Sequence, residues 1–88
     1  MSFNLNNKQY FAFLITSLKY NGCSFEADAV VIDSSNELNG YRRNIIIPKS
    51  EEKQVNLSFM NRLPMFVSFD NDTNEPTSFL YIHYSEKP

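Results

Sequence analysis

The sequence predicts a mainly β protein: a small antiparallel β-barrel or meander sheet of five to six strands. One short helix at residues 51–62 is the α+β alternative. Three observations lead there. Runs rich in Phe, Tyr, Ile, Val and Thr recur along the chain, and such residues suit a pleated, half-buried surface. Turn signals separate the runs: Asn21-Gly22, Asn39-Gly40, Pro48, Pro64 and the stretch "DNDTNEPTS". Several runs also alternate polar and apolar residues with the period of a strand. Eighty-eight residues fit a single domain, 1–88, near the small end of what folds unaided.

The first hairpin centres on "LKYNGCSF". Residues 8–20 also have helical spacing at Phe11, Leu14, Ile15 and Leu18, with Asn21-Gly22 as a C-terminal cap. The hairpin is preferred, because Asn-Gly is the favoured pair of a two-residue turn. Its register places Tyr20 opposite Cys23, Leu18 opposite Phe25, Thr16 opposite Ala27, Leu14 opposite Ala29 and Ala12 opposite Val31. That face is nearly all apolar. On the other, Lys19 meets Ser24, Ser17 meets Glu26, Ile15 meets Asp28, Phe13 meets Val30 and Phe11 meets Ile32. This second face is polar near the turn and apolar far from it.

Asn39-Gly40 offers a second turn, with Leu38 opposite Tyr41 and Glu37 opposite Arg42, or else forms part of a longer loop. Residues 42–47 read as a strand that Pro48 ends, since proline donates nothing to a ladder. Residues 50–63 are two-sided. Ser50, Glu51 and Glu52 resemble a helix start, with Val55, Phe59, Met60 and Leu63 on one stripe. The alternation of Val55, Leu57 and Phe59 with Asn56 and Ser58 fits a strand, which is the preferred expectation. Met65–Phe69 is a strand, residues 70–78 a loop and residues 78–84 the last strand. On it Leu80 and Ile82 share one face, and Phe79, Tyr81 and His83 the other.

Composition excludes several chemistries. Cys23 is the only cysteine, so no disulfide closes within the chain and no multi-thiolate zinc site forms. A reducing, cytoplasmic setting is expected. The start "MSFNLNN" lacks the basic and apolar blocks of a secretory leader, and no apolar run nears the ~20 residues that span a bilayer. Two separated glycines, Gly22 and Gly40, make no phosphate loop. Asp70, Asp72 and Asn74 open with calcium-loop spacing, but Glu75 stands where the turn glycine belongs and Tyr81 where the bidentate Glu belongs. His83 and Cys23 lack any nucleophile signature around them. No catalytic residue, cofactor or metal is expected, and the chain reads as a non-enzyme.

The net charge of −2 disfavours an electrostatic nucleic-acid binder, although residues 41–62 hold a local +3. Asn occurs 11 times and Phe 8, against 2 Gly and 3 Arg, a bias towards AT-rich codons that suggests a low-GC bacterium, phage or mobile element. Several strands are apolar on both faces, a surface to be covered either by a second subunit or partner or by barrel closure or the helix at 51–62. The expected function is binding of another protein, as a small inhibitor, immunity or anti-defence factor. Phe11, Phe13, Tyr41, Arg42, Arg43, Phe79 and Tyr81 are the candidate anchors, since aromatics and Arg are enriched at interfaces. A homodimer is one form of this. The competing expectation is an OB-like module for single-stranded nucleic acid, with Phe79, Tyr81 and His83 as a stacking platform and Arg42, Arg43, Lys49 and Lys53 along the backbone.

Overall fold

A computed structural model of the chain describes residues 2–33 and 39–82. Six antiparallel strands form one curled sheet, a half-barrel with a short helix. In chain order they are β1 (Ser2–Leu5), β2 (Lys8–Tyr20), β3 (Ser24–Val31), β4 (Arg42–Pro48), α1 (Glu52–Met60), β5 (Met65–Phe69) and β6 (Pro76–Tyr81). The order across the sheet is β4-β3-β2-β5-β6, with β1 added to β2. Strand β2, 13 residues long, is the spine. It pairs with β5 through residues 10–13, with β1 through residues 8–11 and with β3 through residues 13–20. Because β5 takes one edge of β2, β1 and β3 follow each other along the opposite edge.

The expected pairing of residues 8–20 with β3 is present, but its register differs by two residues at the turn. Tyr20 faces Phe25 and Leu18 faces Ala27, rather than Cys23 and Phe25. The cause is the Asn21 side chain. Its Oδ1 accepts the backbone N–H groups of Cys23 (3.1 Å) and Ser24 (2.9 Å), while Asn21 N donates to Ser24 O at 3.0 Å. These bonds fix a four-residue loop in place of a two-residue turn, and only Gly22 has positive φ, +99°. The two-residue turn with both residues at positive φ occurs instead at Asn6 (φ 53°) and Asn7 (φ 65°), closing β1 on β2 with Leu5 opposite Lys8.

A second difference lies at Thr16. Ser17 pairs with Asp28 and Ile15 with Ala29, leaving Thr16 outside the ladder as a bulge, its Oγ1 donating to Asp28 O at 3.0 Å. One extra residue exchanges the faces of a strand. Leu18 points inward with Ala27, but beyond the bulge Ile15 and Phe13 turn in while Leu14 turns out. The expected inner set on β3 is correct: Phe25, Ala27, Ala29 and Val31 are all buried. The set on β2 is exchanged.

At residues 50–63 the structure takes the α+β alternative, a short helix at 51–62, over the preferred strand: a 3₁₀ turn at Lys49–Glu51 leads into α1. Ser50 does not cap it; no side chain does. The far end is better built. Leu63 N donates to Ser58 O (2.9 Å) and Arg62 N to Phe59 O (3.4 Å), the pattern of a Schellman motif, with Arg62 at φ 56° where glycine is usual. Helix α1 buries Val55 and Ser58 and packs on β2 and β6. The inner core joins Phe13, Ile15, Phe25, Ala27, Ile45, Ile47, Val55, Met65 and Val67. Each buried Ile or Phe contributes roughly 1.5–3 kcal/mol, a large part of the ~5–15 kcal/mol that separates folded from unfolded.

The connection before β4 is the longer loop, not a tight turn at Asn39-Gly40. Tyr41 O accepts from Val31 N (2.9 Å), and Arg42 pairs with Val30 rather than Glu37. Glu37 and Leu38 lie outside the described residues. Strand β5 is as expected. Strand β6 begins at Pro76, two residues early, at a sheet edge where proline costs no ladder bond. His83 and Tyr84 lie outside the described residues.

Candidate functional site

The sheet has two apolar faces and one helix. The inner face holds the core and α1. The outer face follows from the register: Leu14 pairs with Val30, Ala12 with Phe66, Phe66 with Leu80 and Tyr10 with Phe3. The rings organise its centre. Phe3 stacks on Tyr10 at 5.4 Å and meets Phe66 edge-on at 5.2 Å. Beneath them Tyr10 is buried, its hydroxyl 2.7 Å from Ser78 Oγ. Leu14, Val30, Phe66 and Leu80 are half-buried, and Ile32, Ile46 and Ile82 are exposed. No described element lies over this band. Towards the Asn21 loop it gives way to Lys19 opposite Glu26, and to Asp28, whose Oδ1 accepts Asn44 Nδ2 at 3.0 Å. An apolar centre with a rim of both charges results.

The inner face is only partly filled. At the end of the half-barrel away from α1 lies a cleft of about 640 Å³. Phe11, Phe13 and Val31 line its apolar part, continuous with the core. Asn4, Asn7, Gln9, Asn71 and Asn74 supply side-chain amides around it, and Tyr41 stands at its mouth, half exposed. Arg43 closes one wall: its guanidinium carbon sits 4.0 Å from the centroid of Phe69, and its nitrogens donate to the Asn74 carbonyl and to Asn74 Oδ1. Asp70 is occupied too. Its Oδ2 accepts from Thr73 N (2.8 Å), Thr73 Oγ1 (3.1 Å) and Asp72 N (3.1 Å). These bonds, led by the Thr73 backbone, hold the Asp70 carboxyl below its ordinary value. The residues with calcium-loop spacing thus form a self-bonded loop; among the described residues no group of three His, Cys, Asp or Glu could hold a metal ion.

The seven anchors expected from sequence are divided by the fold. Phe11, Phe13, Tyr41 and Arg43 come together at the cleft. Phe13 is core, reachable only as cleft floor. Arg42 is exposed beside Val30 on the outer face. Phe79 and Tyr81 pack against the core, so these two members of the expected stacking platform face inward. Among the described residues the buried Tyr81 hydroxyl has no hydrogen-bond partner within bonding distance. That burial first, and then the nearby Glu51 carboxylate, push its pKa above the ordinary tyrosine value. Sequence reasoning missed Phe3, Leu14, Val30, Phe66 and Leu80. The signal for Phe3 was the pair Asn6-Asn7, a turn between two short alternating runs. The signal for Leu14 was hidden by the bulge.

Cys23 is exposed in the first loop. Among the described residues no helix is long and apolar enough to cross a membrane. Compared with protein-family models, curated proteins and solved structures, the chain finds no match in any of the three.

Proposed function

We propose that the chain works without catalysis, by seating another protein on the outer face of its sheet and so blocking it, in the role of an inhibitor or immunity factor. The observation that supports this is the apolar band of Phe3, Leu14, Val30, Phe66 and Leu80, flanked by the exposed Ile32 and Ile82. Its charged margin of Lys19, Glu26, Asp28 and Arg42 follows the anatomy of a specific interface, with an apolar centre and a polar rim. Five strands spaced about 4.8 Å apart give a sheet roughly 19 Å wide, and a specific interface should clear about 500 Å² on each partner.

The test substitutes both Leu14 and Leu80 by Lys in the full chain. At half-buried, outward positions a Lys stem can lie along the sheet with its ammonium in water. The wild-type chain is expected to retain a stoichiometric protein when purified from the cells that produce it, and the Leu14→Lys/Leu80→Lys variant to lose it. Light scattering of the purified chain separates a different partner from a second copy. A monomer that retains nothing contradicts the proposal.

A further inference from the structure

The cleft on the inner face adjoins an open strand edge. Among the described residues β1 pairs with β2 alone. In a two-residue hairpin the flanking pair Leu5–Lys8 exchanges backbone bonds, so by alternation Asn4 turns its N–H and C=O away from β2. Its side chain lies on the same face as Gln9, its cross-strand partner, and both line the cleft. An added strand beside Asn4 would therefore point alternate side chains onto Phe11, Phe13 and Val31. Of the charged residues that line the cleft, Arg43 is engaged by Phe69 and Asn74 and Asp70 by its own loop; Lys8 lines it as well. What remains for a ligand is side-chain amides, each a donor and acceptor pair like a peptide group, the Lys8 ammonium and an apolar floor. The volume of about 640 Å³ suits a few residues, being within the range of small-ligand sites.

We propose that the open edge of β1 and the cleft together bind a short, extended polypeptide segment, paired as an extra strand beside Asn4 with one apolar side chain on the Phe11–Phe13–Val31 floor. This is β-augmentation, in which backbone bonds give affinity and a side-chain pocket gives selectivity. It lies on the opposite side of the sheet from the band of the proposed function, so either can fail without the other.

The probe is the blocked peptide acetyl-Thr-Val-Phe-Val-Thr-amide at about 1 mM, where weak binding is visible, added to the ¹⁵N-labelled full chain. Amide shifts are expected at Asn4, Phe11 and Tyr41, with exchange of the Asn4 amide slowed about tenfold by the added hydrogen bond. Asn4→Pro removes that outward N–H without touching the bonds to β2 and should abolish the effect. Tyr41→Ala, at an exposed position, should weaken it and serves if Asn4→Pro disturbs β1. The same peptide with Asp for Phe, inorganic phosphate and glucose should leave these amides unmoved. No shift with the peptide, equal shifts with any control, or full binding by both variants overturns the proposal.

Discussion

The guanidinium of Arg43 lies 4.0 Å from the ring centroid of Phe69 and reaches on to Asn74. One side chain from β4 thus holds the β5–β6 loop across the mouth of the half-barrel. A cation over an aromatic face contributes about 0.5–1 kcal/mol at a partly exposed site. Arg43→Ala should lower stability by ~1 kcal/mol, a fall of about 4–8 °C in Tm for a domain this size. Arg43→Lys should recover only part, because an ammonium lacks the planar fork that bonds and stacks at once. Thermal unfolding of the three proteins checks this.

Arg62 closes α1 in a left-handed conformation, φ 56°. Side chains pay a steric cost there that glycine avoids, partly offset by the greater freedom of glycine in the unfolded chain. Arg62→Gly is expected to stabilise the protein by about 0.5 kcal/mol. A loss of stability in denaturant titration would show that the Arg62 side chain makes a compensating contact.

Tyr81 gives the fold an alkaline limit. Its hydroxyl has a pKa raised by burial and by Glu51. The folded state holds this proton more tightly than the unfolded chain, so its contribution is complete below the ordinary tyrosine value of 10.0 and is lost as pH rises beyond it. Ultraviolet titration should show one of the five tyrosines ionising later than an ordinary one. Tyr81→Phe should remove that late step and flatten the loss of stability above pH ~10. At neutral pH the same variant should be about as stable as wild type, since the buried hydroxyl it deletes has no hydrogen-bond partner among the described residues.

The bulge at Thr16 decides which face of β2 is core. Deleting Thr16 would restore strict alternation, sending either Leu18 or the pair Ile15 and Phe13 outward. Loss of even one such side chain from a packed core costs about 2–5 kcal/mol, so the deletion variant should not fold cooperatively. A native-like amide spectrum from it would contradict the assigned register.

What the sequence made legible, and what it hid, follows from the range of each interaction. The strand nature of β2, β3, β4 and β5 showed in local composition. The inner face of β3 was readable because the apolar residues Phe25, Ala27, Ala29 and Val31 alternate without interruption. The face of β2 was not, because a bulge is an arrangement between two strands, here stabilised by Thr16 on the Asp28 carbonyl. The Asn21 loop was concealed similarly: Asn-Gly favours a tight turn, but the Asn21 side chain bonds two later amides and lengthens it. Helix α1 was legible only as the second choice because Leu57 and Met60 are exposed while Ser58 is buried, which blurs the helical stripe and leaves the alternation of Val55, Leu57 and Phe59. Four of the expected anchors meet at the cleft because the half-barrel brings β2, β3 and β4 to one end. The outer band depends on the exchanged face, so Leu14 could not be found before the register was known.

The outer band is the central claim, and site-specific photo-crosslinking tests it most directly. A photoreactive residue replaces Leu80 on that face or, as the control, Leu57, exposed on α1. In the cells that make the chain, irradiation should join one protein to position 80 and none to position 57. Equal crosslinking from both positions, or none from position 80, would contradict the assignment of the outer face as the binding surface.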